Sequence, residues 1–229
     1  MTADSKDVAK ELKARIFPIL RDAGFARFKT RTAWKDDAET IVVVDFKSLG
    51  SYLGSAVGVT SHSFGAVAGI YFKAVHATPW SNEPLPEAPE EWRCQARLVL
   101  RKRMFQLRSL RPDVWYVKPA AGNLDKVIAD AARAVREQAL PWFEDMRDLS
   151  RALEAFESRP ESEMRRGILH EILGGQLNSL ARAEVSSALA LRLGQRERAR
   201  AAWQRMLDNP YYKGPSPMRS QAEERLKLI

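Results

Sequence analysis

The sequence has little of what most catalytic and metal sites require. It holds one cysteine, Cys94, and three histidines among 229 residues, so it can form neither an internal disulfide nor a cysteine-rich zinc site. It contains no HExxH motif, no GxSxG motif and no phosphate-binding loop with a trailing lysine. The sequence therefore favours a protein that is not an enzyme and that binds neither a cofactor nor a metal.

Long apolar segments are also missing. No run approaches the roughly 18 to 20 apolar residues of a membrane-spanning helix. The charged N-terminus, MTADSKDVAKELKARIF, lacks the apolar core of a secretory signal. We therefore expect a soluble cytoplasmic protein with no membrane partner. Because 45% of its residues are hydrophobic, the chain can bury one good core or two modest ones.

The longest stretch that requires burial in a sheet is residues 39–59. It begins with a β-branched run, and the alternation that follows predicts a strand whose one buried face carries Val42, Val44 and Phe46. Residues 53–59 alternate small with apolar side chains and predict the second strand of a hairpin. The small side chains indicate close approach of a helix, a ligand or a second backbone segment.

Two helices are predicted to cover this sheet. The first spans about residues 6–23, is bent by Pro18 and ends at Gly24. The second is long, begins after the capping candidate Asn123 and is kinked near Pro141. Residues 61–75 predict a further strand or a loop that leads into one, and residues 114–117 predict a short strand. Residues 94–104 are interpreted as a strand, although their arginines also fit a helix. The sequence thus predicts an α+β fold with a mainly antiparallel sheet of four to six strands.

The last third of the chain is helical by pattern. A boundary near Pro160 separates an α+β domain, residues 1–159, from a helical tail, residues 160–229. Residues 188–210 resemble one tetratricopeptide-type hairpin in their leucine-glycine helix end and in the spacing of Ala199, Trp203, Leu207 and Pro210. One copy is recognisable, whereas a solenoid needs about three repeats to bury a core. Such a hairpin is suited to contacts with another protein.

Several short elements of the first domain together carry a family resemblance. They are Gly24-Phe25, Phe46-Lys47-Ser48, Val57-Gly58-Val59, the arginine-rich strand from Arg93, Val114-Trp115-Tyr116-Val117 and Leu140-Pro141-Trp142-Phe143. In that order they resemble the bacterial domain-of-unknown-function 4304 family over about residues 5–148. The resemblance implies an α+β domain without a known reaction, so it supplies no catalytic residues. The insertion at residues 78–90 and the helical tail lie outside it.

The strongest functional signal is a basic run. The net charge of +8 arises beyond residue 90, and residues 93–111 hold seven basic side chains and no acidic one. On a strand, alternate arginines share one face, and a row of guanidinium groups can bind phosphates or an acidic protein surface. The alternative is a solvated face paired with nearby glutamates. The candidates for partner or anion binding are Arg93, Arg97, Arg101, Arg103 and Arg108.

Other residues that could carry chemistry are scattered. Lys47 and Tyr52 are candidates for a pocket on the sheet. His62 and His76 could meet across neighbouring strands beside an aspartate and bind a metal, but no ligand motif supports this, and two independent histidines are favoured. Cys94 lies between arginines that would activate an exposed thiol, although a lone cysteine on an apolar strand is more often buried.

These patterns favour a non-catalytic binding or accessory protein that recognises a macromolecule, in the first place another protein. One alternative is a nucleic-acid-binding protein that uses the arginine face, with an affinity that falls steeply as salt rises. A second alternative is an uncharacterised enzyme whose site lies on the sheet near Lys47 and Tyr52.

Overall fold

The structure, a computed structural model, describes residues 5–82, 84–103, 111–119, 122–158, 179–209, 212 and 214–229. Its strands are β1 Arg27–Lys29, β2 Thr32–Asp36, β3 Thr40–Ser48, β4 Phe64–Phe72 and β5 Ala96–Val99. They form one antiparallel sheet in which each strand lies next to the strands that precede and follow it in the chain. The predicted α+β class is confirmed, with five strands in the described sheet.

Helices account for most of the remaining described structure. They are α1 Ser5–Arg15, α2 Phe17–Asp22, α3 Gly50–Ala56, α4 Leu124–Ala134, α5 Leu140–Met146, α6 Leu149–Ser158, α7 Ser179–Arg192, α8 Arg196–Asp208 and α9 Pro217–Lys227. A π-helical turn, Val135–Ala139, joins α4 to α5. Among the described residues, no helix combines the length and the apolar composition needed to cross a bilayer.

Contacts between residues divide the chain into two compact units that do not follow its linear order. The first unit comprises Met1–Asp37, Val42–Gly69 and Leu98–Glu144. The second comprises Ala38–Ile41, Ile70–Arg97 and Asp145–Ile229. The second unit therefore combines the C-terminal helices with residues that the sequence assigned to the first domain. The boundary predicted at residues 159 and 160 lies outside the described residues and stays a prediction.

Strand β3 is buried on both faces over most of its length. Ile41 and Val43 are at most 1% exposed, as are Val42 and Val44, which point to the opposite face. The prediction of a single buried face was therefore incomplete. A continuous β-branched run, rather than strict alternation, is typical of a strand that is covered on both sides.

The prediction of a second strand at residues 53–59 was wrong, because α3 occupies this segment. The helix ends in a left-handed glycine, Gly58 with φ +71°, and the amide of Val59 donates back to the carbonyl of Gly54 at 2.8 Å. A Cβ atom on Gly54 would lie 3.0 Å from the carbonyl oxygen of Thr60. The small residues predicted a close approach by a helix, a ligand or a second backbone segment. The backbone of Val59 and Thr60, which follows the helix, makes this approach at Gly54.

The predicted first helix is present as two helices, α1 and α2, rather than one, and its predicted end at Gly24 is confirmed. The helical stretch is interrupted at Ile16, and Pro18 lies in the first turn of α2, where a missing backbone N–H costs least. Gly24, with φ +89°, ends α2, and the amide of Phe25 donates to the carbonyl of Leu20 at 2.9 Å. The ring of Phe25 then packs on Phe143 of α5, with centroids 5.9 Å apart.

The long helix follows Asn123 as predicted, but the side chain of Asn123 does not cap it. The amide oxygen instead accepts from the N–H of Lys118, and the amide nitrogen donates to the carbonyl of Tyr116, each at 2.8 Å. Pro141 cannot donate to a carbonyl one turn earlier, and the wider π-helical turn directly precedes it in the chain. The long helix is therefore interrupted by a π turn shortly before Pro141, and the predicted kink itself stays a prediction.

A buried carboxylate organises the core of the first unit. Asp130 of α4 is 3% exposed, and it accepts from the indole Nε1 of Trp115 at 3.1 Å and from the amide of Arg103 at 3.3 Å. Trp115 in turn stacks on Phe64 of β4, with ring centroids 5.7 Å apart. The segment at residues 114–117 contributes one isolated bridge, to Phe64, rather than the predicted regular strand.

Replacing Asp130 with alanine tests this arrangement. The buried indole N–H of Trp115 would lose its acceptor, so we expect the free energy of unfolding to fall by about 1–3 kcal/mol. Asp130→Asn keeps an acceptor oxygen and should cost less. Chemical denaturation provides the measurement, and Lys126→Ala serves as the control, because Lys126 lies on the same helix and is exposed. Equal losses for Asp130→Ala and Lys126→Ala would contradict the assignment.

In the second unit, α7 and α8 form a helical hairpin, in agreement with the prediction. Gly194, with φ +73°, ends the first helix, and Trp203 of the second is fully buried and donates from Nε1 to Ser187 Oγ at 2.9 Å. Met206 and Ala222 complete a small apolar core with Trp203. Membership of a tetratricopeptide repeat class stays a prediction.

Two arginines of α8 hold a glutamate of α6 within the second unit. Arg198 and Arg205 contact Glu157 with nitrogen–oxygen distances of 2.5 and 3.2 Å. Burial by itself would raise the pKa of Glu157, but the hydrogen bonds and charges of the two guanidinium groups outweigh it, so the pKa lies below its usual value. The ionised carboxylate therefore stabilises the folded state.

This coupling predicts a defined pH dependence. Because the pKa of Glu157 is lower in the folded than in the unfolded chain, its contribution is complete above the unfolded value of about 4.3 and is lost as the pH falls through the folded value. Glu157→Gln should destabilise the protein at pH 7, and the difference from wild type should shrink in acid. Urea denaturation across this range provides the test, with exposed Glu154→Gln as control. A constant difference at every pH would contradict it.

Candidate functional site

The predicted row of arginines on one strand face is not formed. Strand β5 is short, Ala96–Val99, and of the described candidates only Arg97 lies on it. Arg93 belongs to a 3₁₀ turn, Glu91–Arg93, and Arg101 and Arg103 follow the strand in an irregular segment. Arg93 and Arg97 fall in the second unit, whereas Arg101 and Arg103 fall in the first. Arg108 lies outside the described residues.

The two candidate arginines in the described part of the first unit, Arg101 and Arg103, contact the π-helical turn. The backbone of Arg101 exchanges two hydrogen bonds with the amide of Gln138, at 2.9 and 2.6 Å. The guanidinium of Arg103 lies 3.0 Å from Glu137. These contacts attach the basic segment to the π-helical turn, so the same residues that predicted a binding face also have a structural role.

Lys102 lies between these arginines in a partly buried acidic environment. Burial lowers the pKa of its ammonium group, and the charges of Asp113 and Asp130 act in the opposite direction. Its backbone amide donates to the carbonyl of Pro112 at 2.8 Å, and Arg111 makes a two-pronged contact with Asp113 at 3.1 and 2.8 Å. Much of the described basic run is thus matched by nearby carboxylates.

The two residues proposed for a pocket on the sheet do not lie together on it. Lys47 is exposed near the end of β3, and Tyr52 belongs to α3 with 84% of its surface exposed. Neither lines the cavity described below. Lys47 and Tyr52 therefore do not share this cavity. The enzymatic site proposed for them stays a prediction without structural support.

The histidines have separate environments where the structure describes them. His76 shares a hydrogen bond between its Nε2 and the hydroxyl of Tyr71, and Asp45 accepts from the hydroxyl of Thr32 at 2.8 Å. Nε2 of His62 is buried without a hydrogen-bond partner among the described residues. No cluster of metal-ligand side chains occurs in the described part of the chain.

A cavity of about 370 Å³ lies wholly within the second unit. Four aromatic side chains line it, and they come from three separate segments. Tyr71 at the end of β4 stacks on His76, with ring centroids 5.4 Å apart. Trp80 follows in the next turn, and Trp92 lies on the 3₁₀ turn before β5 with 59% of its surface exposed. The cavity thus has aromatic walls and an exposed tryptophan at its opening.

Two of the charged residues that line this cavity, Arg225 and Glu184, neutralise one another. Arg225 of α9 pairs with Glu184 of α7, and its side chain is 13% exposed. The guanidinium carbon lies 5.5 Å from the ring centroids of both Trp80 and Trp203, which meet edge to face at 5.8 Å. This wall is therefore held by stacking and by an ion pair, and it leaves no net charge there.

The turn before β5 and the residues just after it form another part of the lining. The indole nitrogen of Trp92 donates to the carboxylate of Glu90, and the guanidinium of Arg93 lies 6.0 Å from the centroid of the Trp92 ring. Gln95 also lines the cavity, and its amide oxygen accepts from the backbone amide of Phe72 at 2.8 Å. The side chains of Trp92 and Gln95 are therefore both held by hydrogen bonds within the chain.

Sequence reasoning missed this site, although one signal was present. Trp80 lies at the start of a segment with four prolines, residues 79–89, and Trp92 lies just after its end. Large aromatic residues at both ends of such a loop indicate either packing or a binding surface. Their convergence with Tyr71 and Arg225 depends on tertiary structure, because 145 to 154 positions of sequence separate Arg225 from Tyr71 and Trp80.

Comparison with known proteins identifies no relative: no protein-family model, no curated protein and no solved structure matches the chain at a significant level. The resemblance to the domain-of-unknown-function 4304 family therefore stays a prediction. Any functional conclusion depends on the geometry of the chain itself.

Cys94 supplies a direct test of this region, because it lies between Arg93 and Gln95. Its side chain is buried, and burial raises the pKa of the thiol well above its usual value, with the charge of Glu91 acting in the same direction. We expect native protein to resist iodoacetamide at pH 8 and to react fully in urea, as measured by intact mass. Rapid alkylation of the folded protein would contradict this burial.

Proposed function

We propose that this chain is a non-catalytic binding protein that recognises another protein through the aromatic cavity of the second unit. The observation that carries the proposal is the side chains gathered there, Tyr71, Trp80, Trp92 and Arg93. Tyrosine, tryptophan and arginine are the residue types enriched at the energetic centres of protein interfaces. A partner would insert a side chain into the cavity and cover the exposed face of Trp92.

Preorganisation supports this role. A side chain that is already held loses less conformational entropy when a partner binds. The ring of Trp92 is oriented by its bond to Glu90, and Arg225 is held between two indoles and Glu184. These side chains therefore have contacts within the chain before a partner binds, as is favourable for tight recognition.

The polar groups of the cavity suit binding better than catalysis. The described residues that line it include one serine, Ser81, but no cysteine, lysine or aspartate. The groups among them that could act as a base for Ser81 are already engaged, Glu184 by Arg225 and His76 by Tyr71. Cys94 lies nearby in sequence but is buried. A binding role therefore accounts for the lining more simply than a reaction.

Nucleic-acid binding remains the second candidate. Arg101 and Arg103 are exposed, which favours it, but Arg103 is paired with Glu137 and the arginines are not aligned on one strand. Binding to the phosphate backbone through these groups would weaken steeply with salt. The described geometry therefore supports this function less well than protein recognition.

Photo-crosslinking from the cavity tests the proposed function. With p-benzoylphenylalanine in place of Trp92, irradiation in an extract of the native cells should yield a protein adduct of defined mass that survives nuclease treatment. The same probe at Tyr52, an exposed aromatic position of the first unit, is the matched control. The crosslinked protein, once purified, should bind Trp92→Ala at least about 10-fold more weakly than wild type, and Tyr52→Ala normally.

Two results would contradict the proposal. Equal adducts from both positions would indicate nonspecific capture. An adduct that nuclease removes would indicate nucleic acid as the partner instead.

A further inference from the structure

Helix α9 contributes Arg225 to the cavity, but the helix itself buries little apolar surface. All eleven of its residues are described, and Ala222 is the only one of them that is buried. In α8, on which α9 packs, five residues are buried, among them Trp203 and Met206. A segment that buries few apolar side chains opens at a lower free energy than the core it covers. The attachment of α9 is therefore weak compared with that of the α7–α8 hairpin.

Arg225 supplies a specific contact between α9 and the wall of the cavity. Its guanidinium pairs with Glu184 of α7, and the guanidinium carbon lies 5.5 Å from the ring centroids of both Trp80 and Trp203. The arginine side chain is 13% exposed, and a cation that is largely removed from water gains more from an aromatic ring than an exposed one does. One side chain of α9 thus joins the helix to three other segments of the second unit.

Helix α9 is also too short to persist on its own. Isolated helices of fewer than about 12–15 residues are marginal in water, and α9 has eleven residues. Its backbone hydrogen bonds therefore depend on its packing against α8. Because a helix that leaves the hairpin also loses these bonds, hydrogen exchange of the α9 amides reports directly on whether the helix is in place.

We propose that α9 is a lid of the cavity that opens without unfolding of the α7–α8 hairpin, and that Arg225 is the contact that holds it closed. The inference rests on the proposed function, because the cavity that α9 closes is the proposed site of recognition. With the lid closed, Arg225 lines the cavity beside Trp80. A partner that fills the cavity binds this closed form and therefore stabilises α9.

Hydrogen exchange of the whole chain, followed by NMR for each amide, tests the lid. We expect the amides of residues 221–227 to exchange at least about 10-fold faster than those in the middle of α8, and to share one degree of protection because the helix opens as a unit. Simple fraying would instead give protection that falls steadily toward Lys227. A gradient of that kind, or protection of α9 equal to that of α8, would overturn the inference.

Variants of Arg225 provide the second arm. Arg225→Ala should speed exchange of the α9 amides by about 5- to 30-fold, because the helix loses the ion pair and both ring contacts. Arg225→Lys keeps the charge without the planar group that stacks, and its effect should be intermediate. Lys227→Ala removes an exposed cation from the same helix and is the matched control. Equal effects of Arg225→Ala and Lys227→Ala would overturn the role of Arg225, and the wild-type pattern decides the matter if Arg225→Ala does not fold.

The lid and the proposed function fail separately. The protein crosslinked at position 92, once purified, should slow exchange of the α9 amides in the wild-type chain. If it binds but leaves their exchange unchanged, the proposed function stands and the lid is wrong. If α9 opens as expected but no protein is captured, the opening of α9 stands and protein recognition is wrong.

Discussion

Burial of β3 on both faces is the constraint on which the rest of this structure depends. Four consecutive β-branched side chains, Ile41 to Val44, can be kept from water only if apolar groups cover both sides of the strand. Each fully buried side chain of this kind contributes about 1.5–3 kcal/mol. The short strands β1 and β5 have weak sequence patterns for a strand. They form strands because they pair with neighbouring strands of this sheet.

Arginine has a largely structural role in the described part of the chain. Arg198 and Arg205 hold Glu157, Arg111 holds Asp113, and Arg225 stacks between two tryptophans. Because a guanidinium can pair with a carboxylate and stack on a ring at once, it fits a partly buried position between such groups better than a lysine does. A basic composition therefore does not by itself indicate a binding face, and the positions of the partners decide which arginines remain available.

The candidate cavity shows how a site can form from residues with no common motif. Tyr71 lies at the end of β4 and His76 follows the next 3₁₀ turn. Trp92 lies on the 3₁₀ turn before β5, Gln95 just after that turn, and Arg225 on the last helix. Each is oriented by a contact that does not involve an occupant, such as the bond from Phe72 to Gln95. A ligand would therefore meet a largely formed surface, and its binding energy would go into recognition rather than into ordering side chains.

The sequence alone determined the class of the fold, the buried strand and the helix ends at Gly24 and Gly194. These depend on local chemistry, because β-branched runs and left-handed glycines act within a few residues. Only the tertiary structure decided that the segment after Gly50 is a helix and that, of the described candidate arginines, only Arg97 lies on β5. It also decided the cavity, because its walls come from segments far apart in the chain, and no local pattern records which distant side chains will meet.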